Sequence, residues 1–167
     1  MDGTHCLGIA VDFMSQNIQM NDTQLLILGA VAFKKTSKEF LFSDRSDVGG
    51  IFLWNAYYYN VSLSFELSLK CFLAYSKFSQ RQLKDIGHDL IECFNQAVHY
   101  GFRPHNERVL DTLKILSPVY KSHELRYLKN KALNLPASDE DIIEILDLHV
   151  RDVATQVGFD FEYANSY

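Results

Sequence analysis

The run from Ile51 to about Ser76 constrains this chain more than any other segment. Its apolar residues recur at helical spacing on more than one side: Leu63, Leu67, Cys71 and Ala74 line one face, and Val61, Phe65 and Phe72 another. A helix apolar on several faces must be covered on several faces. It therefore sits at the centre of its own bundle or is shared between that bundle and a partner subunit. No strand-like alternation and no internal repeat accompanies it. The reading is an all-α antiparallel bundle of about five helices. One domain spans residues 21–160, with 1–20 as an N-terminal arm or irregular segment and 161–167 as a C-terminal tail.

The flanking elements follow from local signals. Asp22 is placed to cap a first helix, whose apolar positions Leu25, Leu28, Ala32 and Leu26, Ala30, Phe33 fade near Phe40. Ser43 to Gly50 has loop composition, and Gly49-Gly50 lacks the following Lys-Ser/Thr that a phosphate-cradling loop needs. Lys77 to Ile86 is polar and reads as a loop with a short turn. Gly87 permits a tight turn, after which His88 or Asp89 opens a helix with the stripe Leu90, Phe94, Ala97, Val98 and Gly101. Pro104 fits the first turn of a fourth helix, which should stop before Pro118. Tyr120 to Ala132 is amphipathic but short. Ser138-Asp-Glu-Asp141 has the form of a capping box, and Ile142, Leu146, His149, Val153 and Val157 form the stripe of the last helix.

With 167 residues, 47% of them hydrophobic, the chain can bury a substantial core. A formal net charge of −5 argues against a broad nucleic-acid-binding face and leaves room for a local basic patch. Cys6, Cys71 and Cys93 show no paired spacing, which fits a reducing, cytoplasmic compartment, and Cys71 and Cys93, inside apolar helical patterns, read as buried thiols. No stretch approaches the ~18 apolar residues of a membrane span.

Chemistry concentrates in two places. Glu66 and Lys70 stand four apart, acid first, on the apolar helix, and His88-Asp89 opens the next one. Charges on so apolar a helix need partners, because an unpaired buried charge costs several kcal/mol. Asn60, Glu66, Lys70, His88 and Asp89 therefore read as a polar clamp between helices, or else as the lining of a ligand pocket. Lys121, His123, Arg126, Lys129 and Lys131 form the densest basic stretch, either a solvated face or a strip with phosphate contacts at Lys121, Arg126 and Lys129. His99, His105 and His123 lack metal-site spacing, so no metal and no cofactor is expected. Trp54 and Tyr57 to Tyr59 read as packing residues rather than a base-stacking platform.

Asn60 with the Glu66-Leu-Ser-Leu-Lys70 run, then Gly87-His-Asp-Leu90, then Tyr120 with Arg126-Tyr127, occur in an order that resembles the HEPN family. The resemblance implies an all-helical domain of prokaryotic toxins, defence systems and nucleotidyltransferase-associated proteins. It implies a likeness to metal-independent ribonucleases whose signature is an Arg, four to six residues, then a His near the last major helix. Here Arg126 is followed by no such His. Only Arg81 and His88 keep the spacing, with six residues between them and in a different place. The expectation is a non-catalytic binding module in a defence, toxin–antitoxin or stress context that engages RNA, a nucleotide or a partner protein. Such a partner would be a nucleotidyltransferase or an antitoxin, and the module itself a homodimer. The alternatives are an RNA endonuclease using Arg81, His88 and Arg126, and a purely structural dimerisation unit.

Overall fold

The computed structural model describes residues 21–42, 49–126 and 138–160, the side chains of 49–52 excepted. Six helices occupy these residues, and no strand does: α1 (Asp22–Phe42), α2 (Gly49–Tyr75), α3 (Gln80–Ile86), α4 (Leu90–His99), α5 (Arg108–Lys121) and α6 (Asp139–Gln156). Among the described residues, no helix is long and apolar enough to cross a membrane.

α2 is the axis of the bundle and packs against all five other helices. Tyr57, Val61, Phe65, Leu69, Cys71 and Leu73 are fully buried on it, together with Ser62, Ser64 and Ser68. These residues are thus covered within one chain, whereas Leu63 and Leu67 stay partly exposed and Tyr75 is 51% exposed. Ser64 donates to the Ala30 carbonyl at 2.7 Å and the Cys71 thiol lies 3.4 Å from the Thr23 carbonyl, so α1 runs antiparallel to α2. The pairs Tyr57–Asp139 and Ser68–His149 rise together along the chain, so α6 runs parallel to α2. The two packed cysteines are driven toward the thiol form, burial pushing both up to about 12. Cys6 lies outside the described residues.

Several boundaries differ from expectation for identifiable reasons. Asn21, not Asp22, caps α1: its side chain accepts from Gln24 N–H at 2.9 Å, and Gln24 reaches back to Asn21 N–H at 3.1 Å. The polar stretch after Lys77 contains the helix α3, because Ser79 and Gln82 form a capping box and Leu83 supplies a buried anchor. Gly49 and Gly50 belong to the first turn of α2, not to a loop. Pro104 does not open α5. It lies in a loop stapled to α6, where Gln156 bonds both backbone groups of Arg103 and Asp152 accepts from His105 N–H. α5 also runs through Pro118 to Lys121, held by the buried Leu116, Ser117 and Tyr120 around the proline. Val98 is 43% exposed and so lies off the α4 stripe. The Ser138–Asp141 capping box is present as expected.

Trp54 stacks on Tyr58 at 5.7 Å, and the Tyr57 and Tyr58 hydroxyls donate to the carbonyl and carboxylate of Asp139. The aromatic cluster thereby fixes the start of α6 against α2, which is a packing role.

Candidate functional site

Glu66 sits at mid-length on α2 and is 4% exposed. A carboxylate taken this far out of water must find donors, and Glu66 finds three. Lys70, one turn along α2, donates to Oε1 at 2.8 Å. His88 Nδ1, in the turn before α4, lies 2.9 Å from Oε2, and the buried Tyr120 hydroxyl, from the last turn of α5, donates to Oε2 at 2.6 Å. Burial alone would raise the Glu66 carboxyl. The bonds from His88, Lys70 and Tyr120, with the Lys70 charge, outweigh it and hold the group below the usual glutamate range. Burial and the facing carboxylate push the Tyr120 phenol the other way, so it stays a donor.

The turn that presents His88 is itself tied to this network. Lys70 also donates to the Gly87 carbonyl at 2.7 Å, and Gly87 adopts φ +65°, a backbone conformation glycine takes without strain. Asp89 then caps α4 by accepting from Glu92 N–H. Ser117 of α5 donates to Asp89 at 3.3 Å and accepts from Leu90 N–H at 3.1 Å, and Lys121 reaches Asp89 at 2.6 Å. Burial works to raise Asp89, and the Lys121, Glu92 and Ser117 bonds reverse it to a net lowering. Glu66 and Asp89 together bolt α2, α4 and α5 into one unit.

At the open edge of the bolt the side chains change character. The His88 side chain is 36% exposed, and its ring lies 5.3 Å from His123 and 5.5 Å from Tyr120. His123 has φ +60° in the position after a helix end that glycine commonly fills, closed by Glu124 N–H to the Val119 carbonyl. Tyr59 stands 5.8 Å from Tyr120, and the Arg126 guanidinium lies over the Tyr59 ring at 5.2 Å. Tyr120 is thus the neighbour that His88 and Tyr59 share, and Arg126 is near enough to favour its ionised form.

Of the residues singled out in the sequence, Glu66, Lys70, His88 and Asp89 converge, and Arg126 lies beyond them over Tyr59, the neighbour of Tyr120. Asn60 does not join the clamp: its side chain donates to the Ala56 carbonyl of its own helix at 2.6 Å. Lys121 is engaged by Asp89, and Lys129 lies outside the described residues. Arg81 is almost fully exposed on α3, 3.9 Å from Asp85. With Leu26, Glu66, Leu67, Lys70, Leu83 and Lys84 it lines an open groove of about 520 Å³; Glu66 borders both that groove and His88, but the other contacts of His88 are with Tyr120 and His123 and the ion-pair partner of Arg81 is Asp85. The sequence spacing of Arg81 and His88 therefore forms no contact pair.

Tyr120, Ser117, His123 and Tyr59 join the site without having been picked out for it. Tyr120 carried a signal, since a buried carboxylate demands more donors than one lysine supplies. A second buried charge, Lys34 of α1, also passed unnoticed; it pairs with Asp147, which Arg151 holds in turn. Among the described residues, no group of three or more His, Cys, Asp or Glu side chains is arranged to hold a metal ion. No family model, curated protein or solved structure matches the chain.

Proposed function

We propose that the chain is a HEPN-like helical binding module, non-catalytic, working in a defence, toxin–antitoxin or stress setting. Its ligand is RNA or a nucleotide, with a partner protein such as a nucleotidyltransferase or antitoxin as a further associate. The observation that carries this reading is the state of Glu66. Its carboxylate is buried and committed to three donors, which suits a structural bolt better than a catalytic base. The groups at the edge of that bolt, His88, His123 and Arg126, are suited to an anion. The ordered Glu-x-x-x-Lys, Gly-His-Asp-Leu and Tyr…Arg-Tyr motifs supply the family context.

A rise in melting temperature on adding RNA or a nucleotide is the expected result, since a ligand that binds only the folded state stabilises it. No shift with either, together with a dimer mass in light scattering, would leave the purely structural reading.

One observation favours the enzyme reading. Glu66 holds His88 by Nδ1 and leaves Nε2 as the ring nitrogen open to a substrate, with a second imidazole 5.3 Å away ring to ring. Incubation with total RNA in the absence of divalent metal separates the two readings. Cleavage that disappears in folded His88→Ala and Arg126→Ala variants would establish the endonuclease.

A further inference from the structure

The pattern of ion pairing across the surface narrows the ligand. We infer that His88, His123 and Arg126 receive a single terminal phosphate, a phosphomonoester on a mononucleotide or an RNA end, rather than a run of backbone phosphodiesters. The inference rests on the binding-module reading and specifies its ligand.

A protein that tracks a polynucleotide backbone needs successive cations free to meet successive phosphates, and each contact adds to the salt dependence of binding. This chain spends many of its cations on its own acids. Lys70 faces Glu66, Lys121 faces Asp89, Lys114 faces Asp111, Arg108 faces Asp141, Arg151 faces Asp147 and Arg81 stands by Asp85. The basic stretch that looked like a phosphate strip is interrupted in this way at Lys121. With a net charge of −5, the surface offers little attraction to a long polyanion.

The edge beside Tyr120 is different. The His123 imidazole and the Arg126 guanidinium have ring contacts there but no hydrogen-bond or ion-pair partner among the described residues. His88 gives its Nδ1–H to Glu66, and in the imidazolium form it presents Nε2–H to the anion. His88 faces both Tyr120 and His123, Arg126 lies over Tyr59 and acts on the charge of Tyr120, and the two tyrosines stand 5.8 Å apart, so contacts through that tyrosine pair join the three. Such a patch matches a compact anion with several oxygens and a charge approaching −2, which is what a phosphomonoester presents near neutral pH. A phosphodiester offers one charge and two free oxygens per group and uses the patch less fully. Arg126 supplies the planar fork suited to two of the oxygens, and the imidazoles meet the remainder.

Titration of the full chain with AMP, adenosine, a 5′-phosphorylated RNA oligonucleotide and its 5′-hydroxyl counterpart tests this, read by calorimetry and by the imidazole proton resonances of His88 and His123. AMP and the phosphorylated oligonucleotide should shift both imidazoles, and adenosine and the hydroxyl oligonucleotide should not. Arg126→Ala and His123→Gly should each weaken AMP binding by about tenfold or more, the scale of one charge-assisted hydrogen bond. Both side chains lie outside the bolt and glycine adopts the backbone of residue 123 freely, so the melting temperature should hold. Equal binding of the two oligonucleotides, with a steep salt dependence, would overturn the terminal-phosphate inference and leave the RNA-binding reading intact. Failure of AMP and both oligonucleotides to bind would overturn both.

Discussion

His88 and His149 each hydrogen-bond to a side chain of α2, and those side chains, Glu66 and Ser68, are two residues apart. Two residues turn a helix by about 200°, so the histidines lie on nearly opposite sides of the same axis. His149 is fully buried between Phe65 and Phe102, at 5.1 and 5.6 Å. Ser68 gives its proton to the Phe65 carbonyl, so His149 donates through Nε2 and leaves Nδ1 a buried acceptor with no partner among the described residues. Protonation there would put a charge in a dry site with nothing to receive the new N–H, and burial lowers the imidazole to about 3. His88 has a carboxylate behind it and solvent beside it. One helix thus holds one histidine inert and the other available, and the partner and the exposure decide which.

The largest test of this contrast removes the α2 partner on the His88 side. Glu66→Ala strands the Lys70 charge and leaves the buried Tyr120 hydroxyl without its acceptor, which should cost about 3–5 kcal/mol of unfolding free energy in urea. On the opposite face, His149→Leu should change stability by less than about 1.5 kcal/mol, because a side chain of similar bulk replaces a ring with an unmet acceptor while Ser68 keeps its bond to Phe65. Equal losses would mean that the two faces are bolted alike.

Acid sharpens the comparison next. The unfolded His149 imidazole takes a proton near 6.5, and the folded one takes none until about 3. Between those values the unfolded state holds more protons, so stability must fall as the pH drops through this window. From pH 7 to pH 5 the loss from this residue should be about 2 kcal/mol, and it should vanish in His149→Leu. Glu66 and Asp147, whose folded carboxyls are lowered, lose their contributions only under more acidic conditions. A His149→Leu variant as acid-sensitive as the parent in urea melts at pH 5 and 7 would locate the proton elsewhere.

How much of this arrangement can be read from the sequence depends on how local its cause is. The central position of α2 followed from apolar residues on several faces, because burial demands cover wherever such residues point. The helix start, to within His88 or Asp89, and the capping box at Ser138 were legible because a cap is a contact over three residues. Helix α3 was missed although its box, Ser79 with Gln82, is equally local, since Gln stands where Glu is the more familiar signal and a single buried Leu83 leaves no stripe. The Glu66–Lys70 pair was visible at one-turn spacing. Tyr120 and Glu66, 54 residues apart, meet only because α5 packs beside α2, and no short-range pattern encodes that register. Lys34 illustrates the same limit: it occupies the core face of α1, and its partner Asp147 is 113 residues away.

The smallest effects should come from the edge, and they decide whether edge and bolt are separable. Asp89→Ala removes the cap of α4 and the acceptor of Ser117, so it should destabilise by about 1 kcal/mol, the usual scale of a lost cap. Lys121→Ala removes only the exposed side of the same ion pair. Asp89 would keep its bonds from Glu92 N–H and Ser117, and Lys121 is solvated with or without its partner. The urea midpoint of Lys121→Ala should therefore match the parent, while that of Asp89→Ala falls. If Lys121→Ala falls as far, the edge is part of what holds α4 to α5, and its basic groups are not free to serve a ligand. If it does not, stability resides in the carboxylates and the surface at His123 and Arg126 can vary without cost to the fold.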